Sequence, residues 1–216
     1  MMGVSVVVAW WARPTRLPSA VAHTKLWGDD AERAGQIRDD EARTAFVAAH
    51  RLLRWAVTAT FPGVPQVRIE RTATGRPVIA ERPGASVSLS HGHDLVAVAI
   101  GVGPQVGIDV EDRPVPEWRD AAEAVFHPSE LAQLLDMPCE QQEVAFRRLW
   151  MAKEAWAKAA GIGIGRPQAL PPLSFRSGNW QPVDRSWRLL SAPLQIPTTL
   201  AVLGKCEVIV WHRPEL

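Results

Sequence analysis

"ASVSLSHGHDLVAVAIGVGPQVGIDVE", residues 85–111, is the stretch that decides the fold. It holds three short apolar runs, near 86–90, 95–100 and 106–111, separated by turns that contain glycine. Runs of this length, rich in Val and Ile, read as strands, and the short turns predict an antiparallel meander. In the third run Val106, Ile108 and Val110 alternate with Gly107, Asp109 and Glu111. Successive strand side chains point to opposite faces, so both acids project from the same face, one pleat apart. Carboxylates that close raise each other's pKa unless positive charge sits beside them. The strand therefore asks for a cation.

Working outward, "RDDEARTAFVAAHRLLRWAVTATFPG" (38–63) predicts a helix that starts at Asp39 or Asp40 and stops before Pro62-Gly63. Phe46, Ala49, Leu52, Leu53, Ala56 and Val57 form its apolar stripe, with Arg43, Arg51 and Arg54 off it. Residues 67–71 read as a short strand and "TGRP" (74–77) as a turn. Residues 13–37 show no clear period. Beyond the meander, 120–126 and 127–135 read as helical, and a stronger helix runs from Gln141 to Ala160 with Gly161 as its stop. Strands are expected near 173–176, 186–190, 199–203 and 206–211. Helix and then strands thus occur twice. The expected fold is α+β, with two pseudo-symmetric lobes (1–101 and 102–216), each a helix packed on a small antiparallel sheet. The site is expected in the cleft between them.

The chain has 216 residues, 47% of them hydrophobic and 22% charged, with a net charge of +1. That is the balance of an ordinary globular protein, and no whole-molecule field argues for nucleic acid or an anionic membrane. Cys139 and Cys206 lack metal-ligand spacing and are too few for a disulfide framework, so both are expected as buried, reduced thiols. The apolar run in "MMGVSVVVAWWARP" is roughly ten residues, too short to span a bilayer, and its β-branched character suggests a core strand. The expectation is a cytoplasmic protein.

"LWMAKEAWAKAAG" (149–161) is the second unusual stretch. Trp150, Glu154 and Lys158 are spaced by four and share one helix face. On its own this is a surface Glu–Lys pair, worth about 0.3–0.5 kcal/mol. Together with the strand it offers three carboxylates, Asp109, Glu111 and Glu154, an all-oxygen set suited to a hard divalent cation such as Mg²⁺. Bound there, a cation would keep both strand acids ionised. In "SLSHGHD" (88–94), His91 and His93 have no further His or Cys at zinc-site spacing. Either this is a solvated turn, or Ser90 and His91 bind an anion with help from Arg76, Arg43 and Arg51, whose guanidinium forks match phosphate.

"GRP" (75–77), "SLSH" (88–91), "GIDVE" (107–111) and "WMAKEAWAKAAG" (150–161) come in an order and spacing that resemble the 4′-phosphopantetheinyl transferase superfamily. The length is similar to the long, two-lobed branch of the surfactin-synthetase-activating type, which serves polyketide and nonribosomal peptide synthetases. The resemblance implies transfer of 4′-phosphopantetheine from coenzyme A to a serine hydroxyl of an apo carrier-protein domain, with release of 3′,5′-ADP. By matching position it implies Mg²⁺ (or Mn²⁺) on Asp109, Glu111 and Glu154. Glu154 would also accept the serine proton, and Lys158 would act on the leaving phosphate. Lys153, Ser90, His91, Arg76, Arg43 and Arg51 would contact the phosphates of coenzyme A. Relatives often carry lysine where Arg76 stands, and a more basic segment where this chain has "WGDDAERAG" (27–35). No nucleotide contact is assigned to 25–38.

The resemblance further implies coenzyme A and acyl or peptidyl carrier domains as partners, and a monomer is expected because both lobes lie in one chain. Carrier proteins tend to be acidic near their modified serine, so a local basic or apolar docking surface is expected, with the loop 112–126 as one candidate. The rival readings are another Mg²⁺-dependent phosphate enzyme on the same scaffold, and a non-catalytic protein of this fold that binds carrier proteins or coenzyme A.

Overall fold

A computed structural model describes residues 5–26, 28–63, 68–162, 170–184, 186–193 and 196–213. In chain order these form β1 (Val6–Ala12), a 3₁₀ turn (Pro14–Arg16), α1 (Ser19–Ala22), α2 (Gly28–Gln36), α3 (Asp40–Thr60), β2 (Ile69–Arg71), β3 (Pro77–Ile79), β4 (Ala85–His91), β5 (Val96–Val102) and β6 (Gln105–Val110). Then come α4 (Trp118–Val125), α5 (Pro128–Leu135), α6 (Cys139–Ala160), β7 (Leu173–Arg176), β8 (Asn179–Pro182), β9 (Trp187–Ser191), β10 (Thr198–Leu203) and β11 (Val208–His212). The class is α+β, as expected.

Both long helices begin and end close to where the sequence puts them. Asp39 caps α3 by accepting a hydrogen bond from Ala42 N at 2.7 Å, one of the donors a helix start leaves unpaired. Gly161 closes α6 at φ +72°, a left-handed conformation that costs glycine little. The stripe of α3 is buried as read, and Leu52, Leu53, Ala56 and Val57 pack on Val87, Val96, Val98 and Ile100.

β4 and β5 pair antiparallel, but β6 leaves them. The first sheet has the order β11-β1-β5-β4, and β6 belongs to a second, β6-β10-β9. The predicted three-strand meander is corrected on this point, and the reason lies in alternate serines of β4. Ser86 Oγ donates to Pro104 O at 2.9 Å and accepts from Val106 N at 3.0 Å, while Ser88 Oγ accepts from Ile108 N at 3.1 Å. Side-chain hydroxyls thus satisfy backbone N–H groups of β6 on the side facing β4. β6 then pairs with β10, Ile108 opposite Leu200.

The strip from β1 (the apolar amino-terminal run) is central in the first sheet, antiparallel to β5 and parallel to β11. β5 is buried on both faces: Val96, Val98 and Ile100 look to α3, while Ala97 and Ala99 meet Val106, Ile108, Val110, Leu200 and Val202 of the second sheet. Small residues on this inner face let the two sheets pack together. The order of layers is therefore α3, first sheet, second sheet, α6. Strand β8 and strand β3 were not anticipated; each belongs to a two-stranded ribbon, with β7 and β2 respectively. Of the predicted strand 67–71, residue 67 lies outside the described residues. Both cysteines are free, but Cys139 is exposed and Cys206 half-buried, which corrects the expectation that both are buried. Among the described residues no helix is long and apolar enough to cross a membrane.

Candidate functional site

The strand β6 and the helix α6 approach each other more closely than side chains normally permit. A Cβ on Gly107 would lie 1.9 Å from Ala155 O and 2.5 Å from Ala159 N. Only glycine tolerates that approach. Two residues on, the same face of β6 carries Asp109, and one turn along α6 from Glu154 lies Lys158.

The charge that the paired acids ask for is supplied by a side chain. Lys158 Nζ sits 2.6 Å from Asp109 Oδ1, 3.0 Å from Ser90 Oγ and 3.3 Å from Ile108 O. Ser90 Oγ in turn donates to Asp109 Oδ1 at 2.8 Å. Asp109 is buried and Lys158 roughly one-third exposed, so this pair is screened less than a surface pair.

Glu111 and Glu154 flank it. Burial pushes the Glu154 carboxyl above the usual carboxylate range and the charge of Asp109 adds to that, with Lys158 opposing. Burial likewise raises Glu111, followed by the charges of Asp109 and Asp112, with Arg147 opposing. Glu111 and Glu154 thus each sense the charge of Asp109, and both hold protons more readily than free side chains. His91 presents an exposed edge, yet part of its ring lies against Phe46 at 6.4 Å. Burial and then the Lys158 charge lower its pKa.

The structure thus brings Asp109, Glu154, Lys158, Ser90 and His91 together, with Glu111 at the end of β6. Arg76 reaches the far end of α6: a Cβ on Gly161 would lie 3.4 Å from its Nη1. Its Nη2 donates to Gln105 Oε1, and its Nε is shielded from solvent with no hydrogen-bond partner. Arg51 also has a shielded, unpartnered Nε. Arg43 pairs with Asp40 and donates to Ile37 O at 3.0 Å.

Lys153 is not brought to this face. Its Nζ is buried, 2.6 Å from Glu130 Oε1 and 2.8 Å from Pro171 O. Glu130 also accepts from Leu173 N and, closing a capping box at the start of α5, from His127 N. The signal was in the sequence. Lys153 follows Phe146 and Leu149 and precedes Ala157 at helical spacing, on the apolar stripe of α6 rather than beside Glu154.

Sequence reasoning also missed a clasp beside the site. Asp112 accepts from His93 N at 2.8 Å and Asp94 N at 2.7 Å, holding the β4–β5 turn against the end of β6. A Cβ on Gly92 would lie 2.4 Å from Asp112 Oδ1. Glu41 of α3 joins the same group through His93 and Arg113. The GHD run and the acid after Glu111 were the available hints.

Residues 105–200 match the family described as the 4′-phosphopantetheinyl transferase superfamily. The 4′-phosphopantetheinyl transferase HetI of Nostoc sp. is 33% identical over 147 residues, 65% of this chain and 62% of the relative. The 4′-phosphopantetheinyl transferase psf-1 of Bacillus pumilus is 39% identical over 100 residues, 46% and 42% of the two chains. The human L-aminoadipate-semialdehyde dehydrogenase-phosphopantetheinyl transferase is 27% identical over 166 residues, 70% and 53% of the two. The matched stretch thus spans less than two thirds of each of these relatives. Residues 105–200, the segment that carries Asp109, Glu111, Glu154 and Lys158, are thus similar to the 4′-phosphopantetheinyl transferase superfamily.

Proposed function

We propose that the chain transfers the 4′-phosphopantetheine group of coenzyme A to a serine of apo carrier-protein domains of polyketide, nonribosomal peptide or fatty-acid synthesis. The single observation that carries this reading is the Lys158–Asp109–Ser90 contact with Glu154 one turn away on α6. It gathers a cation, an acid and a half-buried carboxyl where a phosphate diester can meet all three. The relatives named as transferases support the same reading.

The attacking serine Oγ forms a bond to the β-phosphorus of coenzyme A, and the bond from that phosphorus to the 3′,5′-ADP oxygen breaks. Glu154 takes the serine proton. A base must be ionised to take a proton, and a cation beside Glu154 would hold it in that form. Lys158 donates to the leaving phosphate, where negative charge grows as the bond breaks. Ser90, His91 and Arg76 bind the nucleotide phosphates, Arg76 through a guanidinium still short of one partner. Arg43 and Arg51 keep the same assignment from α3, whereas Lys153, buried on Glu130, is withdrawn from it.

Asp109, Glu111 and Glu154 fit a hard divalent cation by donor chemistry: all ligands are oxygens, and the burial and the Asp109 charge that raise Glu111 and Glu154 are what a cation would offset. Among the described residues no three His, Cys, Asp or Glu side chains converge as a metal cluster. When bound, Mg²⁺ would supply charge neutralisation for carboxylates and pyrophosphate alike. The reaction is proposed to take place between two lobes divided near residue 101, in a cytoplasmic monomer.

Chromatographic detection of 3′,5′-ADP tests the reading. Its release from coenzyme A should require both an apo carrier domain and Mg²⁺. Coenzyme A that stays intact with several carriers overturns it.

A further inference from the structure

A groove of about 1100 Å³ opens on the second lobe between α6 and strands β8, β9 and β10. Glu111 lines it, so the groove is continuous with the carboxylates of the site. Its charge is unlike that of the whole chain, which is close to neutral. Four arginines line it (147, 148, 176 and 188) against two carboxylates, Glu111 and Asp184. Arg147 is already paired with Glu143 at 2.7 Å. Asp184 is occupied locally, accepting from Ser186 N and Oγ. Among the described residues no carboxylate comes within ion-pair distance of Arg148, Arg176 or Arg188. Arg148 only donates weakly to Gly178 O at 3.4 Å, and Arg188 donates to Cys206 O at 2.7 Å.

Exposed apolar side chains leave surface for a partner. Val183 and Val144 line the groove with 57% and 40% of their surface exposed, among the few large apolar side chains so placed. An apolar patch ringed by unpaired cations fits a protein surface of the complementary kind, with acidic side chains around an apolar anchor. A small anion would leave the valines uncovered.

We propose that this groove seats an acidic, partly apolar segment of the carrier protein and so brings its serine toward Glu111 and Glu154. The inference rests on the transferase reading for the identity of the partner, and on the groove for the place. Docking runs along α6 and β8–β9, not through the loop 112–126 alone.

The test is binding of an acidic apo carrier domain at low ionic strength, measured by calorimetric titration, with intact-mass assay of transfer in parallel. Arg148→Glu/Arg176→Glu should weaken the Kd at least tenfold while leaving KM for coenzyme A within twofold. Arg16→Glu, a charge reversal in the other lobe, should leave the carrier Kd within twofold. Val183→Asp, at an exposed position, should weaken the carrier as well, and keeps the test decisive should the double variant fail to fold. An unchanged Kd in the folded variants, or no binding by the wild type, overturns the proposal. So does a wild type that forms a dimer which these variants abolish, since the groove then belongs to a second copy. Wild type that binds the carrier through these arginines but transfers nothing refutes the transferase reading and leaves the docking surface standing.

Discussion

Lys158 Nζ and Asp109 Oδ1 lie 2.6 Å apart, joining the second long helix to the strand that carries both acids. The contact fastens α6 across β6 and at the same time brings a cation to the place where phosphate charge would develop. Removing the lysine leaves a buried carboxylate without its partner. Lys158→Met is expected to cost about 3 kcal/mol in urea unfolding, at the low end for a broken buried pair because the lysine is partly exposed. In Lys158→Met/Asp109→Asn, part of that loss should return, and a purely additive result would contradict the coupling. Transfer by Lys158→Met should fall on the order of 10²-fold in kcat.

Gly107 sets how closely β6 and α6 approach. With a Cβ only 1.9 Å from Ala155 O, Gly107→Ala must push the helix away from the strand. Overpacking costs typically about 1–3 kcal/mol, and backbone atoms yield less readily than side-chain ends, so the upper part of that range is expected. Thermal unfolding reads the loss. A Gly84→Ala control, with nothing within 4 Å of its Cβ, should change little.

The Lys153–Glu130 pair is predicted to be structural. Lys153→Met leaves Glu130 charged in the core and should destabilise by about 3–5 kcal/mol. Lys153→Met/Glu130→Gln should recover part of it. The kcat of correctly folded Lys153→Met should stay within a few-fold of wild type. A large drop in kcat with unchanged stability would return Lys153 to the phosphate site.

Stability should also depend on pH through His50 of α3. Its Nδ1 donates to Phe46 O at 2.8 Å, and its Nε2 faces Arg71 Nη2 at 3.0 Å, an arrangement that needs the neutral ring. Asp30 faces the ring at 3.5 Å and favours the charged form, while burial, Arg71 and Arg33 disfavour it. Burial is the largest effect, and the folded pKa lies below the ordinary value of 6.5. Above 6.5 the ring is neutral in both states and its contribution is fully present. As pH falls below 6.5 the unfolded chain binds a proton that the folded one refuses. Stability then drops by up to about 1.4 kcal/mol per pH unit until the folded pKa is reached. Urea unfolding from pH 7.5 to 5 should show this slope, and it should be shallower in His50→Gln.

How much of this was legible in the sequence follows from how local each signal is. The ends of α3 and α6 are written in adjacent residues, Asp39 and Gly161, and the structure keeps both. The pairing of β6 with β10 rather than β5 depends on residues some ninety positions apart, which no periodicity reports. The serines at 86, 88 and 90 were visible as an alternating row. The use of Ser86 and Ser88 as acceptors for another strand's N–H groups was not. The site shows the same division. Asp109, Glu154 and Lys158 follow from strand alternation and helical spacing, whereas the burial of Lys153 depends on Glu130 from a different helix. The return of β11 to pair with β1 is likewise a long-range event.

The most direct measurement is the intact mass of an apo carrier protein after incubation with this protein, coenzyme A and Mg²⁺, with Glu154→Gln alongside. The account predicts a gain of one phosphopantetheine, about 340 Da, by the wild type, and none over the same time by Glu154→Gln, because the serine hydroxyl then lacks its base. Equal gains in both would contradict the role of Glu154, and no gain by the wild type with any of several carriers would contradict the transferase itself.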